Sequence, residues 1–224
     1  PYSGRGKEFT IHEERTLESK FPRAYSYLCD NQAALQKRIW FGKNAKELSG
    51  QWYGMMYLDS RWAFVSPHLL TPSLSDKSNF SLGDGTLFST GTAGVTSIVL
   101  EDSEQSPLYV LGVLNSSLLS LYATHHSPVF QGGYYKFSAP YLKPLPIRAI
   151  DFDDSRDVAR HDQIVELARQ MLSLHKRLPT AKTSHAKTVL QRQIDATDRQ
   201  IDQLVYELYE LTDEEIAIVE EATD

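Results

Sequence analysis

The chain has 224 residues, 41% of them hydrophobic and 11% Phe, Trp or Tyr, which is enough to bury an ordinary core, so disorder is not the default reading. Its single cysteine, Cys29, excludes an internal disulfide and a cysteine-based zinc site, and fits a reducing, cytoplasmic compartment. The net charge of −6 is uneven: through Ile150 there are 14 Lys and Arg against 12 Asp and Glu, an excess of +2, and from Asp151 onward 9 against 17, an excess of −8.

An acidic total argues against nucleic acid only for the molecule as a whole, because what one face binds is set locally. No apolar run approaches the roughly 18–20 residues that span a bilayer, and no basic-then-apolar leader opens the sequence, so no membrane partner is expected. The first residue is Pro1 rather than Met, which reads as a piece of a longer protein.

Residues Pro1–Glu18 are polar and charged without clear periodicity, a segment whose structure depends on context. Phe21–Arg38 reads as one helix: Pro22 suits a first turn, Tyr25, Leu28, Ala34 and Leu35 share a face, and Lys37 and Arg38 complement the macrodipole at its end. Trp52–Leu58 and Arg61–Ser66 are aromatic-rich strand candidates. Gly83-Asp84-Gly85 between Phe80/Leu82 and Leu87/Phe88 signals a hairpin, since these residues tolerate the positive φ of tight turns. Val95–Leu100 is a β-branched strand.

Ser106 and Pro107 then read as the N-cap and first residue of a helix carrying Leu111, Leu114, Leu118, Leu121 and Tyr122. His125–Pro146 is loop-like, with Gly132-Gly133 and a stiff exit at Pro144 and Pro146. In the last third, Ile164, Leu167, Met171 and Leu172 form one stripe, and Ile194, Ile201, Leu204 and Leu208 another, across a turn at Pro179–Ser184. That pattern predicts an antiparallel helical hairpin. Thr212 and Glu215 form a capping box that opens a short terminal helix. The expected fold class is α+β: a mixed β-sheet recognition module with flanking helices over 1–150, then the helical hairpin and terminal helix over 151–224.

No catalytic constellation is visible. The glycines at 83, 85, 91 and 94 lie among strand signals rather than between a strand and a helix, where a phosphate would be cradled. His125 and His126 are adjacent, not at metal-ligand spacing, and no G-x-S-x-G stands around a serine. What recurs is basic residues interleaved with aromatics and amides: Lys37, Arg38, Trp40 and Lys43, then Gln51, Trp52, Tyr53 and Arg61, then Gln131-Gly132-Gly133-Tyr134-Tyr135-Lys136. DNA readers use this mix, with cations on phosphates and amides or guanidinium groups on base edges. From composition alone, buried aromatics and ordinary solvated cations are the better reading.

Six strings, in order, carry a resemblance: FPRAYSYLCDNQAALQKR, QWYGMMYLDSRWAFVSPHLLTP, NFSLGDGTLF, YVLGVLNSSLLSLYATHH, QGGYYKFSAPYLKPLPI and IDQLVYELYELTDEEI. Together, from about Phe21 to Glu221, they resemble the TaqI-like C-terminal specificity domain of adenine-N6 DNA methyltransferases and fused type IIG restriction–modification enzymes. Leu114-Asn115-Ser116, the Leu145-Pro146-Ile147 exit and Ile201-Asp202 through Leu211-Thr212 are its most specific parts. The resemblance implies a module that reads double-stranded DNA beside an N-terminal catalytic domain. That domain binds S-adenosylmethionine and holds a flipped adenine with an Asn-Pro-Pro-Tyr motif, and neither the motif nor a cofactor loop is present in this sequence.

The chain by itself is therefore expected to hold no catalytic residue, no metal and no cofactor. The expected DNA contacts are Lys37, Arg38, Lys43, Arg61, Lys77, Gln131, Tyr134, Tyr135 and Lys136, with the acidic hairpin turned away from phosphates. The competing reading is a type I-like specificity subunit, or a helical subunit-bridging module without direct DNA readout.

Overall fold

Strand pairing and helix packing divide the chain between Ser66 and Pro67. The computed structural model describes residues 2–3, 10–56, 68–83, 94–100, 104–130 and 132–223. The architecture is α+β, with small sheets whose described pairings are all antiparallel.

In the first unit, β1 (Tyr2–Ser3) pairs with β2 (Thr10–Ile11), and three short helices follow: α1 (Glu14–Lys20), α2 (Pro22–Asp30) and α3 (Gln32–Gln36). The segment before residue 21 is thus partly helical. A single leucine, Leu17, is 1% exposed and anchors α1 against Trp52 and Tyr53, so the helix needs no periodic stripe of its own. The expected single helix over 21–38 is broken at Asn31. Its side-chain amide donates to the Tyr27 carbonyl at 2.8 Å, displacing the backbone bond that would continue the helix.

The hairpin β3 (Ile39–Trp40) and β4 (Lys43–Asn44) leads into α4 (Ala45–Ser49), which Asn44 and Glu47 close with a capping box. Trp52–Met56 forms a turn rather than the start of a strand: Trp52 Nε1 donates to Glu14 Oε1 at 2.9 Å and the Tyr53 hydroxyl to the His12 carbonyl at 2.5 Å. The rest of that strand candidate and the next one lie outside the described residues.

In the second unit, β5 (His68–Pro72) is central to one sheet, between β7 (Ser81–Gly83) and β8 (Val95–Ile98). The expected strand at Val95 is therefore present. The expected hairpin turn at Asp84-Gly85 lies outside the described residues, while its first arm pairs with β5. A second sheet runs β6 (Leu74–Ser75), β10 (Tyr134–Lys136), β9 (Val129–Phe130). The loop expected over His125–Pro146 thus contains a hairpin, and also a short helix α7 (Ala139–Leu142).

Ser106 caps α5 (Pro107–Asn115) as expected, accepting from Leu108 N at 3.2 Å. The helix does not continue through Tyr122. Ser116 is extended (φ −63°, ψ 153°) and its hydroxyl accepts from Leu119 N, starting α6 (Ser117–His126) at a 69° bend. The hairpin α8 (Ser155–Arg177) and α9 (Ser184–Leu208), joined through a 3-10 turn at Leu178–Thr180, is present, as is α10 (Asp213–Thr223) behind the Thr212–Glu215 box. Ile164, Ile201, Val205 and Leu208 face a core shared with α5, Leu69, Phe80 and Phe137. Gly112 lets α5 and α8 close, since a Cβ there would lie 2.7 Å from Ile164 Cγ2.

Candidate nucleic-acid interface

The first unit offers the β3–β4 hairpin. Ile39 pairs with Asn44 and Trp40 with Lys43, so Trp40 and Lys43 share one face. The two residues between them, Phe41 and Gly42, both have positive φ, 47° and 78°, the pattern of a type I′ turn. For a bulky L-residue that conformation costs about 1–2 kcal/mol. Ile39, Trp40 and Phe41 are all exposed, Phe41 at 92%, and the Trp40 and Phe41 rings meet edge-on at 5.3 Å.

Lys37 and Lys43 are exposed. Arg38 has a different task. Its Nε donates to the Leu35 carbonyl at 2.9 Å, and Nη2 to the Trp52 and Gly54 carbonyls at 3.3 and 3.0 Å, tying the base of the hairpin to the turn over 51–56. Arg61 lies outside the described residues.

The second unit offers the β9–β10 hairpin. Tyr134 pairs with Phe130 and Tyr135 with Val129, and Val129, Phe130 and Tyr134 are exposed. Tyr135 is half-buried against the main core, and Lys136 is half-buried on β10. Phe137, the next residue, is fully buried and meets Phe80 edge-on at 6.1 Å. Gln131 lies outside the described residues. Lys77 is exposed after β6, and its charge acts on Asp198 of α9, whose carboxyl is raised above its ordinary value mainly by burial. The structure therefore brings Tyr134, Tyr135 and Lys136 onto one hairpin and Lys37, Arg38 and Lys43 around another. His125 and His126 set their Nδ1 atoms 3.1 and 2.9 Å from carbonyls one turn back in α6, which accounts for that pair as a helix end.

The most specific strings of the sequence meet at joints of the second unit. The Asn115 side chain clamps the Phe80 backbone, accepting from its N–H at 2.8 Å and donating to its carbonyl at 3.0 Å. Asp202 on α9 receives the Ser117 N–H and hydroxyl, both at 2.7 Å, capping α6 across 85 residues. Burial pushes the Asp202 carboxyl up and the two Ser117 bonds oppose that shift. The Tyr209 hydroxyl donates to the Pro146 carbonyl at 2.6 Å and accepts from Arg148 N at 3.0 Å, fixing the proline exit.

A family profile described as the TaqI-like C-terminal specificity domain matches residues 13–147. The chain belongs to that family. This specificity domain is also 25% identical over 230 residues, 99% of the chain, to a protein of Escherichia coli named type II restriction enzyme and methyltransferase RM.Eco57I. It spans 23% of that relative's length. The joints just described tie elements of the second unit together and are scaffold. Sequence reasoning passed over Phe41, because Phe-Gly is not among the residue pairs that signal a two-residue hairpin turn.

Proposed function

We propose that this chain reads base sequence in double-stranded DNA for a type II or IIG adenine-N6 methyltransferase and holds the duplex in register for a separate N-terminal catalytic domain that binds S-adenosylmethionine. The observation that carries the reading is the family match over residues 13–147. The physical logic supports it: extracting a base from the stack costs a few kcal/mol and requires DNA held firmly by a second surface. The 224 residues contain no Asn-Pro-Pro-Tyr, so methyl transfer is assigned to the other domain.

Residues 1–150 are assigned the DNA face, because their charge excess is +2 against −8 for the remainder. Lys37, Lys43, Lys77 and Tyr134 are the contacts favoured by exposure, with Arg61, Gln131, Tyr135 and half-buried Lys136 retained as candidates and Arg38 as a positioning residue. The bridging alternative drew on the apolar stripes of α8 and α9, and those stripes are occupied within the chain's own core.

Methylation-sensitive sequencing of DNA from cells expressing the complete methyltransferase tests the activity; unmodified adenine throughout would sink it. For the face, neutralising Lys37, Lys43 and Lys136 together should weaken binding and flatten its salt dependence by about one unit of slope per lost phosphate contact. Neutralising Arg169, Lys176 and Arg177 of α8 should leave both unchanged. The reverse pattern would move the DNA face to the helical hairpin.

A further inference from the structure

We propose that the β3–β4 hairpin is a wedge that inserts the Phe41 ring into the base stack of duplex DNA, with Lys37 and Lys43 on the flanking phosphates; the proposal rests on the DNA-reading role given above.

The backbone is the first argument. With positive φ at both Phe41 and Gly42, the turn favours Asn-Gly or Asp-Gly, and a large aromatic is a poor choice for it. Packing does not explain the ring either, since Phe41 is 92% exposed and the ring contact it makes is with half-exposed Trp40. Strain held at a solvent-facing tip points to a role outside the chain.

The surroundings say what that role is. From Asn31 through Lys46 there is no Asp or Glu, and Lys37, Lys43 and Lys46 fall in that stretch. Glu47, just beyond it, is engaged in capping α4 through Asn44. A convex apolar tip among cations suits a duplex: the ring enters between base pairs, the step unstacks and bends, and the cations neutralise phosphates on either side. Two copies meeting tip to tip would instead bring like charges together.

The Arg38 bonds to Leu35, Trp52 and Gly54 hold the hairpin's base to its unit, as a wedge requires.

The test compares binding of the full chain to a mixed-sequence duplex, intact or carrying one central mismatch beside a 2-aminopurine. A mismatch lowers the cost of unstacking in advance, so the wild type should prefer the mismatched duplex on the order of tenfold and brighten the 2-aminopurine. Phe41→Asn supplies the residue the turn favours, so its melting temperature should hold or rise while the preference and the fluorescence change disappear. Phe41→Trp should retain both. If Phe41→Asn keeps the wild-type preference while binding remains salt-dependent, the wedge is wrong and the DNA-reading role stands. If the wild type binds neither duplex at low salt, both fall. If sedimentation shows self-association that Phe41→Asn abolishes, the tip is a contact between copies and the proposal is overturned.

Discussion

The β3–β4 hairpin has two residues in each strand, no third strand beside it among the described residues, and an aromatic at positive φ on its turn. The β9–β10 hairpin also displays aromatics and a lysine, but β6 pairs along its inner strand, Tyr135 reaches the main core, and Phe137 follows directly as a fully buried ring. Both are stretches of aromatics and cations in sequence. One stands on Arg38 and a small core of Leu17, Trp52 and Tyr53, and the other grows out of the largest core among the described residues. The difference teaches that an aromatic's role follows from what stands behind its strand, not from its neighbours in sequence.

The sharpest way to break the comparison is to remove the buried ring. Phe137→Ala should destabilise the second unit by about 3–5 kcal/mol, the usual cost of deleting a fully buried Phe, read by chemical denaturation. Phe41→Ala, at a turn residue that is 92% exposed, should show no such loss. A small effect at 137 would mean that β10 does not depend on the core beneath it.

How much of this was legible follows from the range of the interactions. Ser106-Pro107 and Thr212–Glu215 act within one helical turn, and both sit where local capping rules place them. The stripes of α8 and α9 repeat at helical spacing and were equally plain. The break at Ser116 was not, because its local cap sits inside an unbroken leucine stripe, and Asp202, which receives Ser117, lies 85 residues further along. Leu17 gave no pattern, since its partners Trp52 and Tyr53 come from a distant turn. At the candidate site, Lys37 and Lys43 are exposed as expected of cations, but no local rule separates half-buried Tyr135 from exposed Tyr134, or reveals that Arg38 serves three carbonyls.

Arg38 gives the next largest effect and sharpens the comparison from the other side. Arg38→Ala removes the donor to three carbonyls and should cost about 1–3 kcal/mol in the first unit. Arg38→Lys keeps the charge but not the planar fork, so it should restore little of that stability. If the lysine variant instead retains full stability, the guanidinium is not what holds the hairpin, and a direct DNA contact becomes the better account of Arg38.

The smallest effect is the most discriminating. Gly42 and Gly133 have nearly the same φ, 78° and 81°, and an added Cβ at either would meet nothing within 4 Å. An alanine at each therefore carries only the conformational penalty of left-handed backbone, about 1 kcal/mol, with no clash to confuse it. The hairpins should answer that equal strain differently. In β9–β10 the pairing with β6 and the Tyr135 contact oppose fraying, so Gly133→Ala should lower overall stability slightly and leave the Tyr134–Lys136 amides protected. In β3–β4 no third strand among the described residues backs the two-residue strands, so Gly42→Ala should raise hydrogen exchange at Ile39 through Asn44 with little change in the rest of its unit. Equal exchange in the two hairpins would show that the sheet and core behind β9–β10 contribute nothing to its rigidity, and the contrast between the two hairpins would fail at its foundation.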